Sequence, residues 1–242
     1  MADWGQYLLR DNYFSIAQGQ FDGYSVVQVS GYNPDIDTAA AETIWCGGGT
    51  YPWSVFDSVR VLTVVSTSAS DTGSVVVSGL DVDFNPITEE IDCAGLTPTT
   101  GSVQFKRINS AFYKNGGSNN AGDVTITANG NTVGLIQVGI GQTLSGIYTV
   151  PAGYTAYILS GNFSTQKGKD AQVRFYVRLF GQNFRTVHIG EVFENIYHYD
   201  FHAPVAMPEK SDLDVQGFLV EANNTRVTTN FSMILVRNNA VQ

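Results

Sequence analysis

The residues with the clearest capacity for chemistry are the carboxylates and amide of Asp81-Val-Asp-Phe-Asn85. Oxygen side chains at alternate positions open a calcium-binding loop, and Asp92 stands where the loop's last ligand would fall. The match breaks at Pro86, where such a loop needs glycine, and at Asp92, where glutamate is usual. The alternative is a tight turn in which the Asp81, Asp83 and Asn85 side chains accept from nearby backbone N–H groups, and that is the reading adopted. Ile196-Tyr-His-Tyr-Asp-Phe-His202 gathers two of the three histidines. On a strand, His198, Asp200 and His202 share one face and Tyr197, Tyr199 and Phe201 the other. At roughly 3.3 Å per residue the two imidazoles stand about 13 Å apart, too far for one metal ion to join both. The expectation is therefore a strand with one aromatic face and one polar face; His188 could approach from a neighbouring strand.

Glu89-Glu90 and Glu191/Glu194 are carboxylate pairs, but glycosidase chemistry needs two carboxylates facing one cleft, with one of them desolvated. No histidine accompanies a G-x-S-x-G turn, so no nucleophilic triad emerges. Cys46 and Cys93 lack C-x-x-C spacing and are expected as free, partly buried thiols. The sequence thus points to no catalytic residue, no cofactor and no metal site.

These residues must be held by strands. In Ala171-Gln-Val-Arg-Phe-Tyr-Val-Arg-Leu-Phe180, the apolar Val173, Phe175, Val177 and Leu179 alternate with Gln172, Arg174, Tyr176 and Arg178. Period two places one set on each face of a sheet. Similar runs cover residues 60–67, 74–80, 87–92, 103–113, 123–135, 142–153 and 155–164, separated by Gly, Pro, Asn and Asp turns. Residues 38–43 suggest one short helical turn; no long helix is expected. The fold class is all-β: an extended N-terminal arm over residues 1–47, a first β-sandwich over 48–140, and a second, jelly-roll-like sandwich over 141–242, both of immunoglobulin-like or jelly-roll-like character. The arm carries Trp4, Tyr7, Tyr13, Phe14, Phe21, Tyr24, Tyr32 and Trp45 without a clear period. Those rings are expected to bury themselves on a partner; the alternative is an arm folded back onto its own domain.

Only 14% of the 242 residues are charged, 43% are hydrophobic and the formal net charge is −9. An acidic surface repels phosphate, so neither nucleic acid nor an anionic membrane is an expected partner. No run approaches the roughly 18 apolar residues of a membrane span. Residues 1–10 lack the basic start and apolar run of a signal peptide, so synthesis in a host cytoplasm without export is expected.

Three segments carry a family resemblance. They are Gly31-Tyr-Asn-Pro-Asp-Ile-Asp-Thr38 with Glu42-Thr-Ile-Trp-Cys-Gly-Gly-Gly-Thr-Tyr51, then Gly139-Ile-Gly-Gln-Thr-Leu-Ser-Gly-Ile-Tyr-Thr-Val-Pro-Ala-Gly153, then Pro204-Val-Ala-Met-Pro-Glu-Lys-Ser-Asp-Leu-Asp-Val215. Together they resemble virion structural proteins of tailed bacteriophages, particularly marine ones. The resemblance implies a non-enzymatic component without cofactor, located in the virion. Joined to the arm, it gives the expectation of a capsid decoration or cement protein. Its partners would be the major capsid protein and copies of itself, with a homotrimer expected. The alternative is a head or tail fibre module recognising the host surface; Tyr154, Phe184 and Tyr197 are the ring candidates for a glycan site, though all three are rather expected in the core. A fibre would be expected to show repeats, and the chain shows none.

Overall fold

The computed structural model describes residues 13–240 except Gly116 and Glu194. It is nearly all β, built of small antiparallel sheets. In chain order the strands are β1 (Tyr24–Ile36), β2 (Glu42–Thr43), β3 (Thr63–Ser66), β4 (Ser74–Leu80), β5 (Pro86–Asp92), β6 (Thr99–Thr100), β7 (Arg107–Lys114), β8 (Val124–Ala128) and β9 (Asn131–Ile136). They continue with β10 (Ile147–Thr149), β11 (Tyr154–Thr165), β12 (Asp170–Arg178), β13 (Arg185–Phe193), β14 (Ile196–Met207), β15 (Asp212–Phe218) and β16 (Thr225–Arg237). A short 3₁₀ turn, Trp53–Asp57, sits between β2 and β3.

Strand order divides the chain into two lobes. In the terminal lobe, one sheet runs β1-β16-β11-β14 and the other β10-β15-β12-β13, with β2 added on β15. Val29, Ile158, Phe163, Val173, Phe175, Val215 and Phe231, drawn from both sheets, share one core. In the inserted lobe the sheets are β6-β3-β8-β9 and β5-β4-β7. Their core holds Val64, Val75, Val77, Phe105, Ile126 and Ile136, closed by Trp45, Trp53 and Ile147. The inserted lobe therefore leaves the terminal lobe after β2 and returns to it at β10.

The arm expected over residues 1–47 is corrected from Tyr24 onward. Residues 24–36 form β1, paired with β16 from Tyr24↔Val236 to Ile36↔Thr225. Val29 and Ile36 point into the core while Gln28, Ser30 and Tyr32 point outward, so period two operates here as well. Gly31 sits inside the strand because the chain crosses itself there. A Cβ at Gly31 would lie 2.5 Å from the Ile44 carbonyl oxygen and 2.6 Å from the Gly146 nitrogen. Trp45 is 2% exposed, and its indole donates to the Gly48 and Gly49 carbonyls. Tyr24, Tyr32 and Trp45 thus belong to the chain's own fold. Residues 13–17 make a helical turn from which Phe14 projects, 70% exposed, and Phe21 is 40% exposed. Trp4 and Tyr7 lie outside the described residues. The helical turn expected over 38–43 is also absent: 38–40 is a bend leading into β2.

Candidate functional site

The residues singled out from sequence do not converge. Asp81 Oδ1 accepts from the backbone N–H of Asp83 at 2.9 Å and of Asn85 at 2.8 Å, and Oδ2 accepts from the Asn85 amide at 3.2 Å. These are the bonds of a tight turn. They offset the rise that burial would cause and hold the Asp81 carboxyl below its ordinary pKa. Asp92 stands at the far end of the β4–β5 hairpin, opposite Ser74, whereas the turn is closed by Leu80↔Pro86. Six residues of strand rise put roughly 20 Å between them.

Glu89 and Glu90 point to opposite faces of β5. Glu89 Oε1 is buried and accepts from the backbone N–H groups of Ser102 and Val103, while Glu90 pairs with Lys114 at 2.8 Å on the surface. Glu191 accepts from Gln172, and Glu194 lies outside the described residues. Cys46 and Cys93 are free and buried, and burial pushes the Cys46 thiol up to about 11.

On β14, His198, Asp200 and His202 share the solvent face, and Tyr199 turns inward, 7% exposed. His188 comes from β13 on the inner side, away from His198 and His202. Its ring lies 5.0 Å from Phe201, 5.3 Å from Tyr199 and 6.0 Å from Phe175. Burial among these rings holds the imidazole below its ordinary pKa. Tyr197 packs in the same cluster, stacked on Phe163 at 6.0 Å. Tyr154 is half-buried against the terminal core, and Phe184 packs on Trp53 at 5.6 Å. None of these three rings forms an open platform on a loop.

Two arrangements that sequence reasoning missed dominate the molecule. The first is a buried ionic joint between the lobes. Asp212 at the start of β15 is 2% exposed. Its Oδ1 accepts from Arg107 Nε at 2.8 Å and from the Thr149 hydroxyl at 2.6 Å. Its Oδ2 accepts from Arg178 Nε at 2.9 Å and Nη2 at 2.6 Å, and from Arg107 Nη2 at 3.1 Å. Arg107 belongs to β7 of the inserted lobe, Arg178 to β12 of the terminal lobe. Two residues on, Asp214 is held by neutral donors: Thr43 Oγ1 and Trp53 Nε1 at 2.9 Å each, and Gln216 Nε2 at 3.0 Å. Burial raises the Asp214 pKa, since those donors and the Arg178 charge offset only part of the desolvation. Both guanidinium groups also face the Trp53 ring, Arg107 at 5.7 Å and Arg178 at 5.4 Å. With all its acceptor positions filled, Asp212 is built to hold the lobes together rather than to meet a substrate.

The second arrangement is the outer face of the β1-β16-β11-β14 sheet. The register aligns Ser30, Asn230, Asn162 and His198 in one row across all four strands. The next row aligns Gln28, Ser232, Ser160 and Asp200. These rows floor an open depression of ≈ 540 Å³. A second depression of ≈ 740 Å³ shares Ser30 and Asn230 with the first and is walled by Tyr32 and by Val138, Ile140 and Leu144 of the link between β9 and β10. The two form one groove, running from the inserted lobe across the terminal lobe's outer sheet.

No family model matches the chain, and no curated protein does. Among solved structures, the chain is similar to a structure of infectious bursal disease virus, Gx strain, at 10% identity and a TM-score of 0.27, over 90% of this chain and 73% of that one. It is likewise similar to the crystal structure of the infectious bursal disease virus VP2 subviral particle, at 10% identity and a TM-score of 0.24, over 91% of this chain and 74% of that one.

Proposed function

We propose that the chain is a non-enzymatic structural component of a tailed-phage virion, a two-sandwich unit that decorates and stabilises the head. The observation that carries this reading is the buried Arg107–Asp212–Arg178 joint, which locks two β lobes into one stiff body. A rigid body with broad sheet faces suits bridging neighbouring subunits of a lattice. The carboxylates with the most buried geometry are occupied by the chain itself, which fits a structural role. The phage-like segments at 31–51, 139–153 and 204–215 support the same reading. The net charge of −9 disfavours contact with packaged DNA.

The partners in this reading are the major capsid protein and further copies of the chain, assembled as a trimer, since a closed ring leaves no unsatisfied interface. Phe14 and Phe21, exposed just ahead of β1, supply apolar docking area, worth roughly 25 cal/mol per Å² before ordering costs. A component that binds only the assembled shell shifts the equilibrium toward assembly. Particles lacking the chain should release DNA at lower temperature while adsorbing to cells normally. Stable particles that fail to adsorb would instead favour host recognition. Light scattering at micromolar concentration, with a density map of the particle, tests the trimer.

A further inference from the structure

We infer that the groove across the outer β1-β16-β11-β14 sheet binds a neutral carbohydrate chain. The inference holds whether the protein sits on the head or on the tail. The groove has three properties that together select a ligand. Its floor is a two-row grid in which six of the eight side chains are amides or hydroxyls, with His198 and Asp200 on β14 ending the rows, all fixed by the ladder rather than by mobile loops. Asn162 and Asn230 bond each other at 3.4 Å, which engages one donor and one acceptor and leaves each amide with further hydrogen-bonding capacity. Such groups both donate and accept at close spacing, as a polyhydroxylated ligand requires.

Its wall is apolar. Val138 is 57% and Ile140 45% exposed, and Tyr32 stands beside them at the end of the floor. A pyranose ring presents hydroxyls at its rim and a C–H face to an aromatic or aliphatic surface, so a polar floor meeting an apolar wall matches it on both counts. The charge then narrows the class. Among the described residues neither depression is lined by Lys or Arg, whereas Asp200 stands in the floor of the first and Asp123 lines the second. A sialylated, sulfated or phosphorylated ligand would enter against the two carboxylates with no Lys or Arg to receive it. A protein partner is disfavoured because the floor lacks the central aromatic or arginine anchor on which protein interfaces depend. The combined depressions can take a few sugar units rather than one.

The test is an array of neutral, sialylated and sulfated oligosaccharides probed with the full chain, followed by calorimetry on the best neutral hit. Binding confined to neutral glycans is expected. The Asn162→Ala/Asn230→Ala double variant should weaken it about tenfold or more. Tyr32→Ala should weaken it separately, with the melting temperature of each variant followed as a control for folding. Should those variants fail to fold, Ser160→Gln, on the outer face of β11 and reaching into the groove, takes their place and should also abolish binding. Absence of binding to every neutral glycan at millimolar concentration, preference for anionic glycans, or unchanged affinity in folded variants would each overturn the inference.

Discussion

Asp212 shows how much one residue can decide. It is a buried carboxylate with two guanidinium partners and a hydroxyl, so truncation leaves Arg107, itself 8% exposed, buried without its counter-ion. Asp212→Ala should cost about 3–5 kcal/mol in urea unfolding. Asp71 acts in the same way inside the inserted lobe. Burial alone would raise its pKa, but the backbone N–H groups of Ala121 and Gly122 and the Ser66 hydroxyl outweigh that and lower it. A carboxylate with a lowered folded pKa contributes stability that is present above its ordinary value of 3.8 and lost as pH falls through the lower folded value. Asp71→Asn should therefore be less stable than the parent at neutral pH, by roughly 2–4 kcal/mol, with a flatter acid limb in urea titrations. His188 is the opposite chemical type with the same sign. Its imidazole is held below the ordinary 6.5 by burial among Phe175, Tyr199 and Phe201, so stability is full above 6.5 and falls as pH drops toward the folded value. His188→Phe should flatten the stability profile between about pH 5 and 7.

Among the elements, β1 most changes what a truncation would mean. It pairs with β16 over nearly its whole length and contributes Val29 and Ile36 to the terminal core. Deleting residues 2–40 should therefore unfold or aggregate the terminal lobe, because it uncovers the long edge of β16 together with apolar surface. Deleting residues 2–20 removes the buried Ile16 but leaves β1 whole, and should be the far milder truncation in urea unfolding. A 2–40 deletion that remained monomeric with native near-UV signal would contradict the role given to β1. The period-two signal for this strand was present in Val27, Gln28, Val29, Ser30 and Tyr32. It was masked by Gly31 and Pro34, which locally look like breakers. Elsewhere the pattern sufficed: Asp170–Arg178 buries alternate residues where alternation predicts.

For the whole molecule, the joint ties β7 of one lobe to β12 and β15 of the other, and one cooperative unit is the expected consequence. Asn109 reinforces it by bonding the Thr149 carbonyl at 3.0 Å and accepting the Thr149 N–H at 2.8 Å. Thermal unfolding of the parent should show a single calorimetric transition. Arg107→Ala should split it in two, since each lobe keeps its own apolar core while the tie between them is lost. A single transition persisting in Arg107→Ala would mean that apolar contact alone couples the lobes.

The sequence by itself determined the all-β character, the positions of most strands and turns, the separation of His198, Asp200 and His202 from the aromatic face, and the turn at Asp81–Asn85. These rest on local rules: side-chain alternation along a strand and the turn preferences of Gly, Pro, Asn and Asp act within a few residues. Tertiary structure alone decided which segments share a sheet, that residues 24–36 close the terminal lobe beside β16, and that the lobe is interrupted by another after β2. It also decided the fate of Asp212 and Asp214. In Asp212-Leu-Asp-Val-Gln216 they occupy alternate positions, as solvent-facing acids would, and nothing local distinguishes them from exposed residues. They are buried because Arg107 and Trp53, more than a hundred positions earlier, are folded over them. Long-range pairing of this kind is set by the packing of whole faces, and no window of sequence contains it.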